Sequence, residues 1–215
     1  MTSGSHTERS YYPLFLDIAD KLCVVLGGGK IAERKVAILL KFKAKVKLIS
    51  PEVTKNLSRR AKSGNIELIE REYRDGDLDG ATLVFAATDR KEINLKIRGE
   101  ADRKSLLVNV VDDPTLCEFI VPSVVQKGPI TIAISTSGTL PLLSKKLKQE
   151  INNYLTEDYI KYADIIGKFR KTLIETVKDR KRRKEIMAEI EKTDFHEVLR
   201  MDFNQVKNRF LTIEK

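Results

Sequence analysis

Leu22-Cys23-Val24-Val25-Leu26-Gly27-Gly28-Gly29-Lys30-Ile31-Ala32-Glu33-Arg34-Lys35 is an apolar run that stops at three glycines and resumes as helix-forming sequence. The pattern predicts a strand, a tight turn and a helix N-terminus. Within it, Gly27-x-Gly29-x-x-Ala32 has the spacing of a dinucleotide fingerprint. One glycine turns the chain, another admits a pyrophosphate to the backbone, and a small third residue lets helix pack on strand. Backbone N–H groups at the start of the helix would face the phosphates. An ordinary strand-to-helix turn can carry the same triplet, so the segments around it carry the decision.

Residues 31–42 alternate apolar and basic positions as a helix with one buried face does. Lys45 to Ser50 then reads as a second strand, stopped by Pro51. It ends about twenty residues after the glycines, where an acidic ribose reader belongs. Ser50 stands there instead, with Glu52 two residues on as its substitute, and on this basis NAD is favoured over NADP. A short basic helix is expected over 52–63 and a third strand over Ile66 to Glu70. Ala81 to Asp89 is a nearly continuous apolar strand of the kind covered on both faces. Thr88 and Asp89, at its carboxyl end, are placed for cofactor contact, and Asp89 equally suits the cap of a helix over Lys91 to Arg103. Leu106 to Val111 is the next strand and runs into Asp112-Asp113-Pro114.

This alternation predicts an α/β fold, a Rossmann-like doubly wound parallel sheet over residues 11–113. The lead-in Tyr12-Pro13-Leu14-Phe15-Leu16-Asp17 is expected to pack along the sheet edge. Two adjacent carboxylates at the sheet mouth can raise the pKa of one toward general-base range. Asp112 is the candidate, whereas Asp113-Pro114 reads as a turn. Beyond Pro114, two β-rich runs, Phe119 to Val125 and Ile130 to Ser135, suggest a hairpin-like unit within residues 114–145. A helical domain follows over 146–215; Leu142, Leu143, Leu147, Ile151 and Leu155 recur at helical spacing from Pro141 on and are expected in the core.

With a formal charge of +9 over 215 residues, the chain suits an anionic partner: nucleic acid, an acidic membrane face or a small polyanion. The basic run Lys178 to Lys184 lies in a helical pattern without interleaved aromatics, so a solvated face outweighs a nucleic-acid footprint, with substrate attraction as a third reading. Tyr154, Tyr159, Tyr162, Phe169, Phe195, Phe203 and Phe210 suit helix packing, with one or two available to a flat ligand. Cys23 and Cys117 have neither metal spacing nor a disulfide framework, which suits a reducing cytoplasm. Met1 to His6 lacks a signal-peptide core and reads as a cloning remnant, leaving His196 as the one other imidazole. No apolar run approaches membrane-spanning length, so no membrane partner is expected; the solvated reading of the basic run sets no nucleic-acid partner, and the scarcity of histidine argues mildly against a metal.

Gly27 to Lys35, Ala86-Ala87-Thr88-Asp89, Asn109 to Pro114, Phe119 to Ser123 and Ile134 to Pro141 come in the order and spacing of one family. The chain resembles the precorrin-2 dehydrogenases, also called sirohydrochlorin synthases, which form the N-terminal part of fused siroheme synthases. The resemblance covers residues 11–150 well and the remainder in outline. It implies NAD-dependent oxidation of precorrin-2 to sirohydrochlorin on the route to sirohaem. Asp112 matches the family's catalytic aspartate, as base or as orienter of the macrocycle through pyrrole N–H groups. Gly27, Gly29, Lys30, Ile31, Ser50, Pro51 and Glu52 match cofactor-contacting positions. Ser135, Thr136 and Ser137 match a hydroxyl-rich run that shapes the tetrapyrrole site, and Asn109, which opens the motif containing Asp112, is assigned with them to the substrate. Residues 114–145 correspond to a region that joins two subunits, so a homodimer is expected. Two alternatives stand beside this reading: a bifunctional enzyme that also inserts ferrous iron into sirohydrochlorin, and a non-catalytic NAD-sensing module on the same sheet.

Overall fold

The computed structural model describes residues 10–211, so His6 lies outside the described residues. The chain divides into two compact units, one up to Ile120 and one from Val121 onward.

In the first unit the order is β1 (Leu22–Leu26), α1 (Lys30–Lys41), β2 (Lys45–Ile49), α2 (Lys55–Lys62), β3 (Glu67–Ile69), β4 (Leu83–Ala86), α3 (Lys91–Arg103) and β5 (Leu107–Val110). All pairings are parallel, in the order β3-β2-β1-β4-β5. Successive residues of a strand point to opposite faces, and the core divides accordingly. Cys23 and Val25 of β1 join Val46, Leu48, Leu83 and Phe85 beneath Val36 and Leu39 of α1 and Leu57 of α2. Val24 and Leu26 join Val84, Ala86, Val108 and Val110 beneath Ile97 and Ala101 of α3. A sheet covered on both faces needs apolar residues at consecutive positions, and residues 23–26 are fully buried. The fold is therefore the doubly wound α/β sheet that the sequence predicts. Its strand order reverses between β1 and β4, which opens a crevice beyond their carboxyl ends.

Two local expectations change. The apolar run from Ala81 is strand only over Leu83–Ala86; Ala87 still donates to the Leu26 carbonyl at 2.8 Å before the chain turns away. Tyr12, Leu14, Phe15 and Leu16 do not pack on the sheet edge: they are exposed, and Ile18 is the first buried residue. Just beyond it the Asp20 N–H bonds the Lys43 carbonyl at 2.9 Å. Glu100 on α3 is fully buried, with a satisfied charge: it accepts from the Tyr73 hydroxyl and from the Gly76 N–H at 3.0 Å. Burial and that bond push the Tyr73 phenol well above its ordinary range.

The second unit begins with an antiparallel hairpin, β6 (Ser123–Lys127) and β7 (Ile130–Ile134), so the first β run starts at Ser123 rather than Phe119. On it lies α4 (Pro141–Tyr154), through Leu147 and Ile151, with Leu155 just beyond, packed against Val125 and Ile134. Leu142 and Leu143 are exposed rather than core, because they fall in the first turn of α4, outside that cluster. The remaining helices are α5 (Glu157–Thr176), α6 (Arg180–Lys192), α7 (Phe195–Leu199) and α8 (Phe203–Leu211). They surround Phe169, Leu173, Ile186, Ile190, Val206 and Phe210. Local chemistry starts the last three of them: Asp179 accepts from the Lys181 and Arg182 N–H groups, Asp194 from those of His196 and Glu197, and Asp202 exchanges bonds with Gln205.

Candidate active site

The crevice at the reversal of strand order is a cleft of about 660 Å³. Its floor is the glycine turn, and the three glycines differ in what surrounds them. At Gly27 the backbone has φ +106°, and a Cβ would stand 2.3 Å from the Ala87 carbonyl oxygen. At Gly28 a Cβ would stand 1.8 Å from the Glu52 carbonyl oxygen and 2.8 Å from Ser50 Oγ. At Gly29 a Cβ would meet nothing within 4 Å. The first two glycines thus make room for protein, and the third faces open space. Gly29 is also the N-cap of α1 and supplies no side-chain cap, so the first-turn N–H groups beside Lys30 and Ile31 form a ready anion cradle. A dinucleotide pyrophosphate fits that cradle in size and charge.

The β2–α2 loop is stitched to the turn. The Thr54 N–H donates to the Gly28 carbonyl at 3.0 Å, and Glu33 of α1 accepts from Thr54 Oγ1 at 2.5 Å and Asn56 Nδ2 at 2.6 Å. Those two bonds hold the Glu33 carboxyl below its ordinary range. Ser50 is buried and donates its hydroxyl to the Glu52 carbonyl at 2.7 Å, which leaves Pro51 and Glu52 exposed on the cleft wall.

On the opposite wall, Thr88 Oγ1 donates to Asn94 Oδ1 at 2.7 Å and accepts from the Arg90 N–H at 3.3 Å. Thr88 therefore does the work at the start of α3 that the sequence gives to Asp89; the N-cap position itself is Arg90, and Asp89 is exposed at the cleft. Arg90 pairs with Glu72 and Glu92. At the end of β5 the Val111 N–H donates to the Ala86 carbonyl at 2.8 Å, and Asp112 follows, exposed in the cleft and in the left-handed region at φ +63°. Aspartate is among the few non-glycine residues that enter this region readily, so the turn at the end of β5 suits its residue type. Asp113 turns away: its carboxylate accepts from the Thr115 hydroxyl and, at 3.1 Å, the Thr115 N–H, bonds that hold it below its ordinary range. The carboxylate pair therefore does not raise the pKa of Asp113.

A family model described as putative NAD(P)-binding matches residues 14–123, just over half of the chain. The chain belongs to this family. The siroheme synthase of Methylobacillus flagellatus is 40% identical over 161 residues, which are 75% of this chain and 34% of that protein. That of Vesicomyosocius okutanii is 38% identical over 161 residues, again 75% of this chain and 34% of its own length. The chain thus spans about a third of the length of the curated relatives it matches. Among solved structures, one titled SirC, precorrin-2 dehydrogenase, superposes with a TM-score of 0.78 at 22% identity, covering 94% of this chain and all of that one, and so shares the fold.

Within this NAD(P)-binding unit, Asn109 is not at the cleft. It is buried, and its amide donates to the Phe119 carbonyl at 3.0 Å and to Cys117 Sγ at 3.5 Å. Ser135, Thr136 and Ser137 lie in the second unit, between β7 and α4. There Thr136 Oγ1 lies 3.1 Å from Ser144 Oγ and accepts from the Leu140 N–H at 3.3 Å, while Ser135 and Ser137 are exposed. His196 is exposed on α7, its ring edge-on to Phe195 at 5.4 Å.

Two residues matter that the fingerprint leaves without a role. Gly28 is one; the only sequence signal for it is that the triplet is unbroken. Cys117 is the other, a buried thiol that reads as inert core. Its Sγ accepts from the Val110 N–H at 3.2 Å and donates to the carbonyls of Val110 at 3.1 Å or Asp113 at 3.3 Å, closing the loop that carries Asp112. Cys117→Ala removes these bonds and should cost about 1–2 kcal/mol in urea unfolding. Turnover is expected to fall more than NAD affinity, because the loop and not the glycine cradle is loosened; Cys117→Ser should restore part of it.

Proposed function

We propose that this chain is an NAD-dependent dehydrogenase that oxidises precorrin-2 to sirohydrochlorin. The observation that carries the reading is Asp112, held in a left-handed conformation at the mouth of a cleft whose glycine floor fits a pyrophosphate. The printed names of the siroheme synthases and of SirC support it. In the reaction a C–H bond of the macrocycle breaks with its electron pair leaving as hydride, a proton leaves the ring, and a new double bond extends the conjugation. Bound NAD⁺ supplies the hydride acceptor. Lys30, Ile31 and the α1 N–H groups hold its pyrophosphate. Glu52, exposed on the cleft wall, opposes the extra phosphate of NADP and favours NAD. Asp112 accepts the proton, and the basic surface of the chain draws in a substrate rich in carboxylates.

Asn109 and Cys117 support the Asp112 loop in this scheme; Ser135, Thr136 and Ser137 are the residues of the second unit we assign to the substrate. Residues 114–145 are assigned to pairing with a second copy of the chain. A two-stranded sheet with open edges favours such a partner. No helix among the described residues is long and apolar enough to cross a membrane; we place the reaction in the cytoplasm.

An anaerobic assay with precorrin-2 generated in place tests the activity, following NADH formation and sirohydrochlorin absorption together. Equal molar amounts of both products are expected. NAD binding without turnover would overturn the enzyme in favour of an NAD sensor.

A further inference from the structure

The second unit holds a groove of about 640 Å³ between α5 and α6, well away in sequence from the glycine turn. Its apolar floor includes Ile166, Leu173 and Met187, spaced so that each helix turns one face toward the gap. Four cations line it, Arg170, Arg180, Arg183 and Lys184, against one carboxylate, Glu191. The cations gather toward the α5–α6 connection, whereas Glu191 sits toward the other end of α6. Arg183 reaches the Val177 carbonyl at 3.5 Å, while Arg170, Arg180 and Lys184 are exposed. A solvated basic face does not need an apolar trough of ligand size beside it.

We propose that this groove is a second binding site for a polycarboxylate with an apolar body, the class to which the tetrapyrrole of the dehydrogenase reaction belongs; the choice of ligand rests on that reading. Charge count and floor chemistry select the class. A single carboxylate would leave three cations without a counter-charge, and inorganic or nucleic-acid phosphate would leave the floor without an apolar partner. A macrocycle entering edge-on satisfies both: several carboxylates meet the cationic end, and ring carbons cover Ile166 and Met187. The site concentrates substrate or retains product on the enzyme.

The chain contains no tryptophan, so Ile174→Trp, at a half-exposed position lining the groove, introduces a single local fluorophore. Uroporphyrin, a porphyrin with eight carboxylates, is titrated into this full-length variant at low and physiological salt. Saturable quenching is expected, weakening as salt rises. Adding Arg170→Glu and Lys184→Glu should raise the dissociation constant at least tenfold. Lys184→Glu alone, at an exposed helix position, should raise it severalfold and serves if the combined variant does not fold by circular dichroism. Citrate, a polyanion without an apolar body, should fail to compete at equal concentration. A dissociation constant unchanged within twofold by the charge reversals, or equal competition by citrate, overturns the groove. Loss of precorrin-2 turnover with quenching intact would instead sink the dehydrogenase reading and leave the groove standing.

Discussion

Asp112→Asn is expected to lower kcat for precorrin-2 oxidation by about 10² to 10⁴-fold while NAD affinity stays within about threefold. Asparagine is nearly isosteric and tolerates the left-handed region as well as aspartate does, so the φ of +63° is kept and the loop should not move. What is lost is a carboxylate able to take a proton. The same variant separates base from orienter, because the asparagine carbonyl still accepts a hydrogen bond from a pyrrole N–H. Retention of turnover within tenfold would identify Asp112 as an orienter and remove it as the base. Asp112→Gly completes the test. Glycine is free in the left-handed region but adds entropy to the unfolded chain, so stability should shift by less than about 1 kcal/mol, upward where the aspartate conformation is strained. An inactive but stabilised glycine variant would show that the strain is kept for the carboxylate; the measurement is thermal unfolding beside single-turnover kinetics.

Gly28→Ala and Gly29→Ala are expected to fail in opposite ways. An alanine methyl at position 28 would overlap the Glu52 carbonyl at 1.8 Å, a backbone atom that cannot swing aside. The β2–α2 loop must retreat, straining the Thr54 bond to Gly28 and the Ser50 bond to Glu52. We expect a loss of about 2–4 kcal/mol, the range of overpacking with broken buried hydrogen bonds, and a cofactor wall displaced with it. At position 29 the methyl meets no protein atom within 4 Å, so the cost should be confined to the poorer N-cap, about 0.5–1 kcal/mol. NAD affinity should nevertheless fall at least tenfold, because the methyl occupies the space where a pyrophosphate approaches the backbone. Urea unfolding and NAD titration on both variants check the pair. A Gly29→Ala variant that binds NAD normally would remove the phosphate from this turn.

The parallel α/β sheet was legible without coordinates because its signals are local. Consecutive apolar residues such as Val24 and Val25 specify a strand buried on both faces, whatever lies elsewhere in the chain. The glycine turn marks the carboxyl end of that strand, and Asp112 follows another, so both reach the same edge of a parallel sheet. Only the tertiary structure decided the roles that depend on residues distant in sequence. Gly28 is fixed by the Glu52 carbonyl, Asn109 is drawn from the cleft by Phe119, and Cys117 becomes the anchor of a loop through Val110. Thr88 rather than Asp89 serves the start of α3, because Asn94 takes up its hydroxyl. Hydrophobicity placed Leu14, Phe15 and Leu142 inside, yet whether an apolar side chain is covered depends on which element arrives to cover it, and among the described residues none does. The basic run at the start of α6 likewise gained a meaning only when the fold set it beside the apolar face of α5. Periodicity fixes which face of an element is apolar, and long-range packing fixes what that face meets.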